Sequence, residues 1–256
     1  MDAVRFTARI LSQEMIAKDI YSMLLDAREA AEKAVPGQFV SVYMKDASRL
    51  LPRPISNCEA DKDKGTLRLV YKIAGNGTKE MSGWAAGEEI SCLGPLGNGY
   101  SPVAGKKALL IGGGIGVPPM VYLAEAIGSK DTVIVAGYRG ETFLEEELQR
   151  YGQLYIATDD GSKGTHGTVI DCIRQNGISC DIIYACGPKP MLKAVKAYAE
   201  EQGIPAFVSL EERMACGIGA CYACVVKTKE KDARTNVHSR CVCKDGPVFD
   251  IAEVEL

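Results

Sequence analysis

The chain has 256 residues, 46% of them apolar and 25% charged, which excludes a disordered chain, a collagen and a coiled coil. It points to a soluble globular protein of one or two domains. Lys and Arg number 30 against 33 Asp and Glu, a net charge of −3, so no cationic footprint for nucleic acid or an anionic membrane is expected.

The opening stretch MDAVRFTARILSQEMIAKDIY has scattered charges and no apolar run of the signal-peptide kind, and a cytoplasmic setting is expected. From Phe6 to about Ser101, short runs rich in β-branched and aromatic residues (FVSVYM at 39–44, TLRLVYKI at 66–73, EEISCLG at 88–94) alternate with Gly, Pro and Asn. Strands at that spacing predict an antiparallel barrel or sandwich. Within this segment LPRPISN, 51–57, presents an arginine between two prolines with a serine close by, a combination suited to gripping a phosphate. An exposed turn arginine with no ligand is the plainer reading of the same residues.

From Lys106 to about Val208 the rhythm changes. Apolar strand candidates (KALLIGG, TVIVAGY, QLYIAT, DIIYACG) are separated by helical patterns at Thr142–Tyr151 and Pro190–Gln202, which predicts a mostly parallel α/β sheet. The uncharged stretch Ala108–Ala124 is too short and too rich in Gly and Pro for a membrane span; it reads as strand, glycine turn and helix start. Gly112, Gly113, Gly114, Ile115 and Gly116 form that turn, where backbone amides can approach a pyrophosphate. Pro119 stands where a strict G-x-G-x-x-G would have its last glycine, so the motif alone is weak. Cys186, Gly187, Pro188 and Met191 form a second strand-to-helix turn expected at the same sheet edge.

Five of the ten cysteines lie between Cys216 and Cys243. Cys216-x4-Cys221-x2-Cys224 with a distant fourth cysteine has plant-type 2Fe-2S spacing, and Gly217, Gly219 and Ala220 let the loop wrap a cluster. Zinc sites favour paired knuckles, for which Cys241 and Cys243 stand too close together. Spacing alone does not choose between these two as fourth ligand. The tail, Glu211–Leu256, is too short and polar for a core of its own and needs a metal or docking onto the rest. Expected boundaries are 1–101, 102–208 and 209–256.

A nicotinamide gives up electrons as a hydride pair, whereas an iron-sulfur cluster accepts them singly, so a flavin is needed between them. The β-rich segment is the place left for it. R-P-I-S at 53–56, G-N-G-T at 75–78, GGGIGVPPM at 112–120 and CGPKPM at 186–191 together resemble the ferredoxin reductase superfamily. MACGIGACYACVVK at 214–227 and VCKDGPVF at 242–249 closely resemble the electron-transfer subunits of NAD-dependent (class 1B) dihydroorotate dehydrogenases, and the likeness spans essentially the whole chain.

This resemblance implies an FAD-binding β-barrel, an NAD-binding α/β domain and a 2Fe-2S lobe. Arg53, Pro54, Ile55 and Ser56 would form the FAD-binding turn, Val70, Tyr71 and Lys72 the strand beside the flavin, and Gly77 with Thr78 the pyrophosphate turn. Cys216, Cys221, Cys224 and Cys243 would ligate the cluster, with Cys243 taken over Cys241 because it precedes K-D-G-P. The partner implied is an FMN-containing catalytic subunit that oxidises dihydroorotate, two copies of each chain forming a heterotetramer in pyrimidine biosynthesis. NAD(H) would be the co-substrate and no side chain of this chain an acid-base catalyst. Met214, Ile218 and Tyr222 are expected at the partner interface or in the core. The other readings are a flavin and iron-sulfur reductase subunit serving another acceptor, or a zinc-stabilised nucleotide-binding module. The insert TKEKDARTNVHSR at 228–240 departs from the family by lengthening the gap before the fourth ligand, and it carries His238. A Rieske-type centre would require a second histidine, and His166 reads as a loop residue. Arg139 lies where a 2′-phosphate would sit, yet no acid follows that strand directly, so NADH and NADPH are not separated by the residues.

Overall fold

The computed structural model describes residues 3–232 and 235–256; Ala233 and Arg234 of the 228–240 insert lie outside the described residues. Six strands, β1 (Val4–Ala17), β2 (Ile20–Asp26), β3 (Phe39–Val42), β4 (Arg53–Asp61), β5 (Thr66–Lys72) and β6 (Glu89–Leu96), close into an antiparallel barrel in the order β1-β2-β5-β4-β3-β6. Closure is made by β1 against β6, with Phe6 opposite Cys92, and leaves no open edge in the barrel. Alternation drives it: Ala8, Ile10, Met23, Leu25, Leu67, Leu69 and Ile90 point inward and are buried together, each large side chain contributing about 1.5–3 kcal/mol. The short helix α1 (Arg28–Lys33) turns Ala30 and Ala31 into the interior, and α2 (Asn76–Met81) adds Met81.

A second sheet of seven strands has the order β10-β9-β8-β7-β11-β12-β15. Its members are β7 (Ala108–Gly113), β8 (Val133–Tyr138), β9 (Gln153–Thr158), β10 (Thr165–His166), β11 (Ile182–Cys186), β12 (Ala206–Ser209) and β15 (Val248–Asp250). All pair in parallel except β15. The central strands are apolar almost without interruption because helices cover both faces: α3 (Pro118–Ile127), α4 (Glu145–Tyr151), α5 (Val169–Gln175) and α6 (Lys189–Gln202). α4 is shorter than the periodicity over Thr142–Tyr151 predicts. Leu144 takes φ of +60° as its N-cap, and Thr142 is spent on a side-chain bond to Glu145.

The tail does not stand alone. β15 pairs antiparallel with β12, and a two-stranded ribbon of β13 (Val225–Lys227) and β14 (Ser239–Cys241) packs beside it. Val226, Val242 and Phe249 join the core under α6, together with Phe39 and Leu96 of the barrel. Asn98 fastens the same join, its amide donating to Gly246 O at 2.6 Å and its side chain to Lys244 O and Asp245 O. Buried hydroxyls tie barrel to sheet: Tyr122 donates to Ala34 O at 2.9 Å and Tyr100 to Ala185 O at 2.8 Å.

Candidate functional site

The chain runs β7, β8, β9 outward on one side, then returns to lay β11 on the other side of β7. That reversal opens a crevice at the carboxyl ends of β7 and β11, where parallel sheets bind ligands. Both glycine turns are there. Gly112 is in register with Cys186, and Gly114–Gly116 form a single 3-10 turn before Pro118 starts α3. A side chain at Gly116 would overlap the carbonyl of Cys186, and one at Gly187 would approach the Gly113 backbone at 3.1 Å. A side chain at Gly113 would overlap Met191 and meet Pro188 at 3.1 Å. Only glycines let these turns touch. Cys186 is half-buried, and burial, opposed by a hydrogen bond with Ser209, pushes its thiol up to about 12, so it is a neutral group there.

Facing this crevice is the barrel wall. Val70 of β5 packs in the cluster shared with Val117 and Ile115, while Lys72 is exposed. Tyr71 is different: its ring is 1% exposed in the barrel interior, stacked on Tyr21, with its hydroxyl donating to Gln13 Oε1 at 3.0 Å. A flavin on this strand would therefore meet the Tyr71 backbone and not its ring. The reason is the two-residue alternation of a strand, which turns Tyr71 to the same face as Leu67 and Leu69.

Arg53, Pro54, Ile55 and Ser56 open β4 and are all half-buried. The guanidinium of Arg53 lies against Gly77, whose own side chain would overlap it, so two segments far apart in sequence meet there. Arg53 donates to Leu51 O at 2.7 Å. Thr78 Oγ1 accepts the amides of Ala74 at 2.8 Å and Gly75 at 3.2 Å and donates to Gly75 O, which makes it the clasp of this turn. Asn57 follows Ser56 with both side-chain polar atoms buried and unpartnered; its motif position had given no sign of this.

The cysteine loop is organised around its sulfurs. Cys216 Sγ accepts the amides of Ala220 at 3.3 Å and Ile218 at 3.5 Å; Cys243 Sγ accepts Gly219 N at 3.1 Å, and Cys224 Sγ accepts Cys243 N at 3.4 Å. Burial raises the Cys216 thiol, but hydrogen bonds from Ile218, Cys221 and Ala220 outweigh it and bring it to about 6. Burial and then the neighbouring Cys224 thiol raise Cys243. Cys216 thus interacts with Cys221, and Cys243 with both Cys224 and Cys216. Among the described residues no three His, Cys, Asp or Glu side chains converge as for a single ion. Gly217 and Gly219 have φ of +71° and +79°, the left-handed angles that turn the amides inward. Cys241 is buried in the neighbouring core on β14. His238 is exposed, with Nδ1 at 3.0 Å from Lys229 O, and His166 is exposed at the end of β10. No helix among the described residues is long and apolar enough to cross a membrane.

Comparison with known proteins agrees with this arrangement. Residues 7–100 match the oxidoreductase FAD-binding domain and residues 211–255 the iron-sulfur cluster binding domain of dihydroorotate dehydrogenase B. The electron transfer subunit of dihydroorotate dehydrogenase B (NAD(+)) from Geobacillus thermodenitrificans is 43% identical over 96% of this chain and 97% of its own. The one from Fusobacterium nucleatum is 44% identical over 94% and 95%. Among solved structures, a chain of the NADH-dependent reduced ferredoxin-NADP oxidoreductase is 29% identical, with a TM-score of 0.87 over 97% of this chain and 89% of that one. The ferredoxin reductase of carbazole 1,9a-dioxygenase, 20% identical with a TM-score of 0.68 over 80% and 68%, shares the fold.

Proposed function

The chain belongs to the family of dihydroorotate dehydrogenase B electron transfer subunits, and from this we propose that it carries electrons between NAD(H) and the FMN of a dihydroorotate-oxidising catalytic subunit, in pyrimidine biosynthesis. The observation that carries this reading is the seat of the cysteine loop. A methyl group at Gly217 would come within 3.0 Å of the Ser41 hydroxyl, and Ser41 is paired with Pro54 of the R-P-I-S turn. The loop is therefore held against the strand pair proposed to carry FAD.

Arg53, Ser56, Gly77 and Thr78 would hold the FAD phosphates, with Pro54, Ile55, Val70, Tyr71 and Lys72 supplying backbone and wall. Gly112 to Gly116, Cys186 to Pro188 and Met191 would hold NAD(H), and Cys216, Cys221, Cys224 and Cys243 the 2Fe-2S cluster. When bound, the flavin supplies the step between hydride and single-electron chemistry. The chain's own contribution is placement: the small residues of the two turns clear room for the nicotinamide end, and the loop amides stabilise charge on the cluster thiolates. Cys186 at about 12 adds a neutral wall and no proton at neutral pH.

The partner and the assembly of two copies of each chain belong to the same proposal. Ile218, Tyr222 and Val225 are 45%, 46% and 41% exposed around the cysteine loop, an apolar surface suited to a partner; Met214 instead packs half-buried on the core. A cytoplasmic setting fits ten cysteines of which none forms a disulfide. The test is the visible spectrum of the anaerobically purified protein through stepwise addition of NADH. Flavin and iron-sulfur bands that both bleach are expected, as is co-purification with the catalytic subunit. A colourless, zinc-containing protein that reconstitution leaves colourless would overturn the reading.

A further inference from the structure

Two arginines reach the turn that opens α2, and they are engaged differently. Arg53 lies against Gly77. Among the described residues it donates only to the carbonyls of Leu51 and Pro52 and forms no ion pair, which leaves its charge for a phosphate. Arg49, earlier in the loop between β3 and β4, is committed to two carboxylates. Its Nε stands 3.2 Å from Asp46 Oδ2 and its Nη1 3.0 Å from Glu80 Oε2. The same Nη1 donates to the carbonyl of Asn76, the residue before Gly77.

Glu80 explains this arrangement. It lies on α2, one turn after Asn76, with its side chain 16% exposed. Its Oε1 accepts the amides of Lys45 at 2.7 Å and Asp46 at 3.1 Å. These bonds pin the β3–β4 loop to α2, and they bring a carboxylate beside the turn proposed to hold the FAD pyrophosphate. Oε2 is buried and has no hydrogen-bond partner, so the Arg49 guanidinium faces it as an ion pair alone. Without that guanidinium, a carboxylate so little exposed would repel a phosphate and compete for Arg53, because water and salt screen it poorly.

We propose that Arg49 is a positioning residue for FAD: it neutralises Glu80 beside the pyrophosphate turn, so that the phosphates meet the charge of Arg53 and no competing carboxylate. The inference rests on the FAD reading of Arg53, Gly77 and Thr78 and deepens it. The remaining charges of the loop agree. Asp46 is held by its own loop, Oδ1 accepting the Ser48 amide at 2.9 Å and hydroxyl at 2.7 Å. Lys45, the loop's other cation, pairs with Glu88 at 2.5 Å and lies 5.3 Å from the centre of the Trp84 ring, which leaves Arg49 for Glu80. The motifs at 53–56 and 75–78 stop short of both residues, and only the folding of the loop onto α2 joins them.

The experiment follows FAD release from the purified, cofactor-loaded chain by flavin fluorescence at low salt and at about 1 M salt. It compares wild type, Arg49→Ala, Arg49→Lys, Glu80→Gln and the double variant Arg49→Ala with Glu80→Gln. Arg49→Ala is expected to release FAD about tenfold faster than wild type at low salt, the order of one charge-assisted contact. At 1 M salt, where the screening length is about 3 Å, the ratio should fall below about threefold. Glu80→Gln in the Arg49→Ala background is expected to recover most of the loss. Arg49→Lys keeps the charge and Glu80→Gln keeps an acceptor for the loop amides, so each alone should stay within about threefold of wild type. Where Arg49→Ala yields little folded protein, the double variant read against Glu80→Gln carries the test, since without the carboxylate the arginine should no longer matter. Release from Arg49→Ala at the wild-type rate, or a loss that neither salt nor Glu80→Gln relieves, would overturn the inference. A wild type that takes up no FAD on reconstitution, or Arg53→Ala with normal flavin content, would instead remove the underlying FAD reading together with this one.

Discussion

The amide of Gly219 donates to the thiol of Cys243 at 3.1 Å, joining the cysteine loop to a residue 24 positions further along the chain. That contact arises only because β13 and β14 pair and return the chain to the loop, with Val225 opposite Cys241.

Cys243→Ser is expected to abolish the iron-sulfur bands and lower iron and sulfide content, whereas Cys241→Ser should retain them. The opposite pattern, read from iron and sulfide assays, would transfer the fourth ligand to Cys241. Gly219→Val should cost about 1–2 kcal/mol of stability, because Gly219 sits at φ of +79° against the Lys244 side chain, and cluster content should fall with it.

Gly77→Ala should displace the Arg53 guanidinium and weaken flavin retention by about tenfold, the order expected for one charge-assisted phosphate contact. Flavin per chain after dialysis measures this. Arg53→Ala should lose flavin to a similar degree, and normal flavin content in both variants would separate this turn from FAD binding.

Gly116→Ala inserts a methyl group into the carbonyl of Cys186, so the two turns must part. Reduction by NADH should slow by more than an order of magnitude, a misplacement effect, with FAD and cluster bands intact. A variant that NADH bleaches at the wild-type rate would show that the crevice does not seat the nicotinamide end.

The capping box of α5 gives a pH dependence. Asp171 accepts the Thr168 hydroxyl at 2.7 Å and amide at 2.8 Å, and these bonds hold its carboxyl below the ordinary 3.8. Because folding lowers this pKa, the stabilisation is complete above about pH 3.8 and is lost as pH falls through the folded value. Asp171→Asn should cost at most about 1 kcal/mol at pH 7, being a solvent-exposed cap, and the difference from wild type should vanish in melts at the acid end.

The candidate site was legible where its chemistry is local. Cys216, Cys221 and Cys224 lie on one short loop whose glycines and spacing already specify a sulfur cage, and the two glycine turns follow apolar strands that could hardly be anything but buried. The β1–β2 hairpin left little trace, because β1 exposes Arg5, Arg9 and Glu14 and reads as charged and irregular. Tyr71 shows the limit within a recognised motif. Its neighbours in sequence point to the cofactor strand, while the pairing register of β5 turns its ring into the barrel.

What the sequence by itself determined is therefore the set of short-range devices: loop spacing, turn glycines, strand alternation and the residues able to ligate iron. Tertiary structure decided which of them meet. Gly217 beside Ser41 and Arg53 over Gly77 join segments distant in the chain, and such meetings depend on strand order and register. These are set by how the whole apolar surface is buried at once, and no local stretch of residues specifies that.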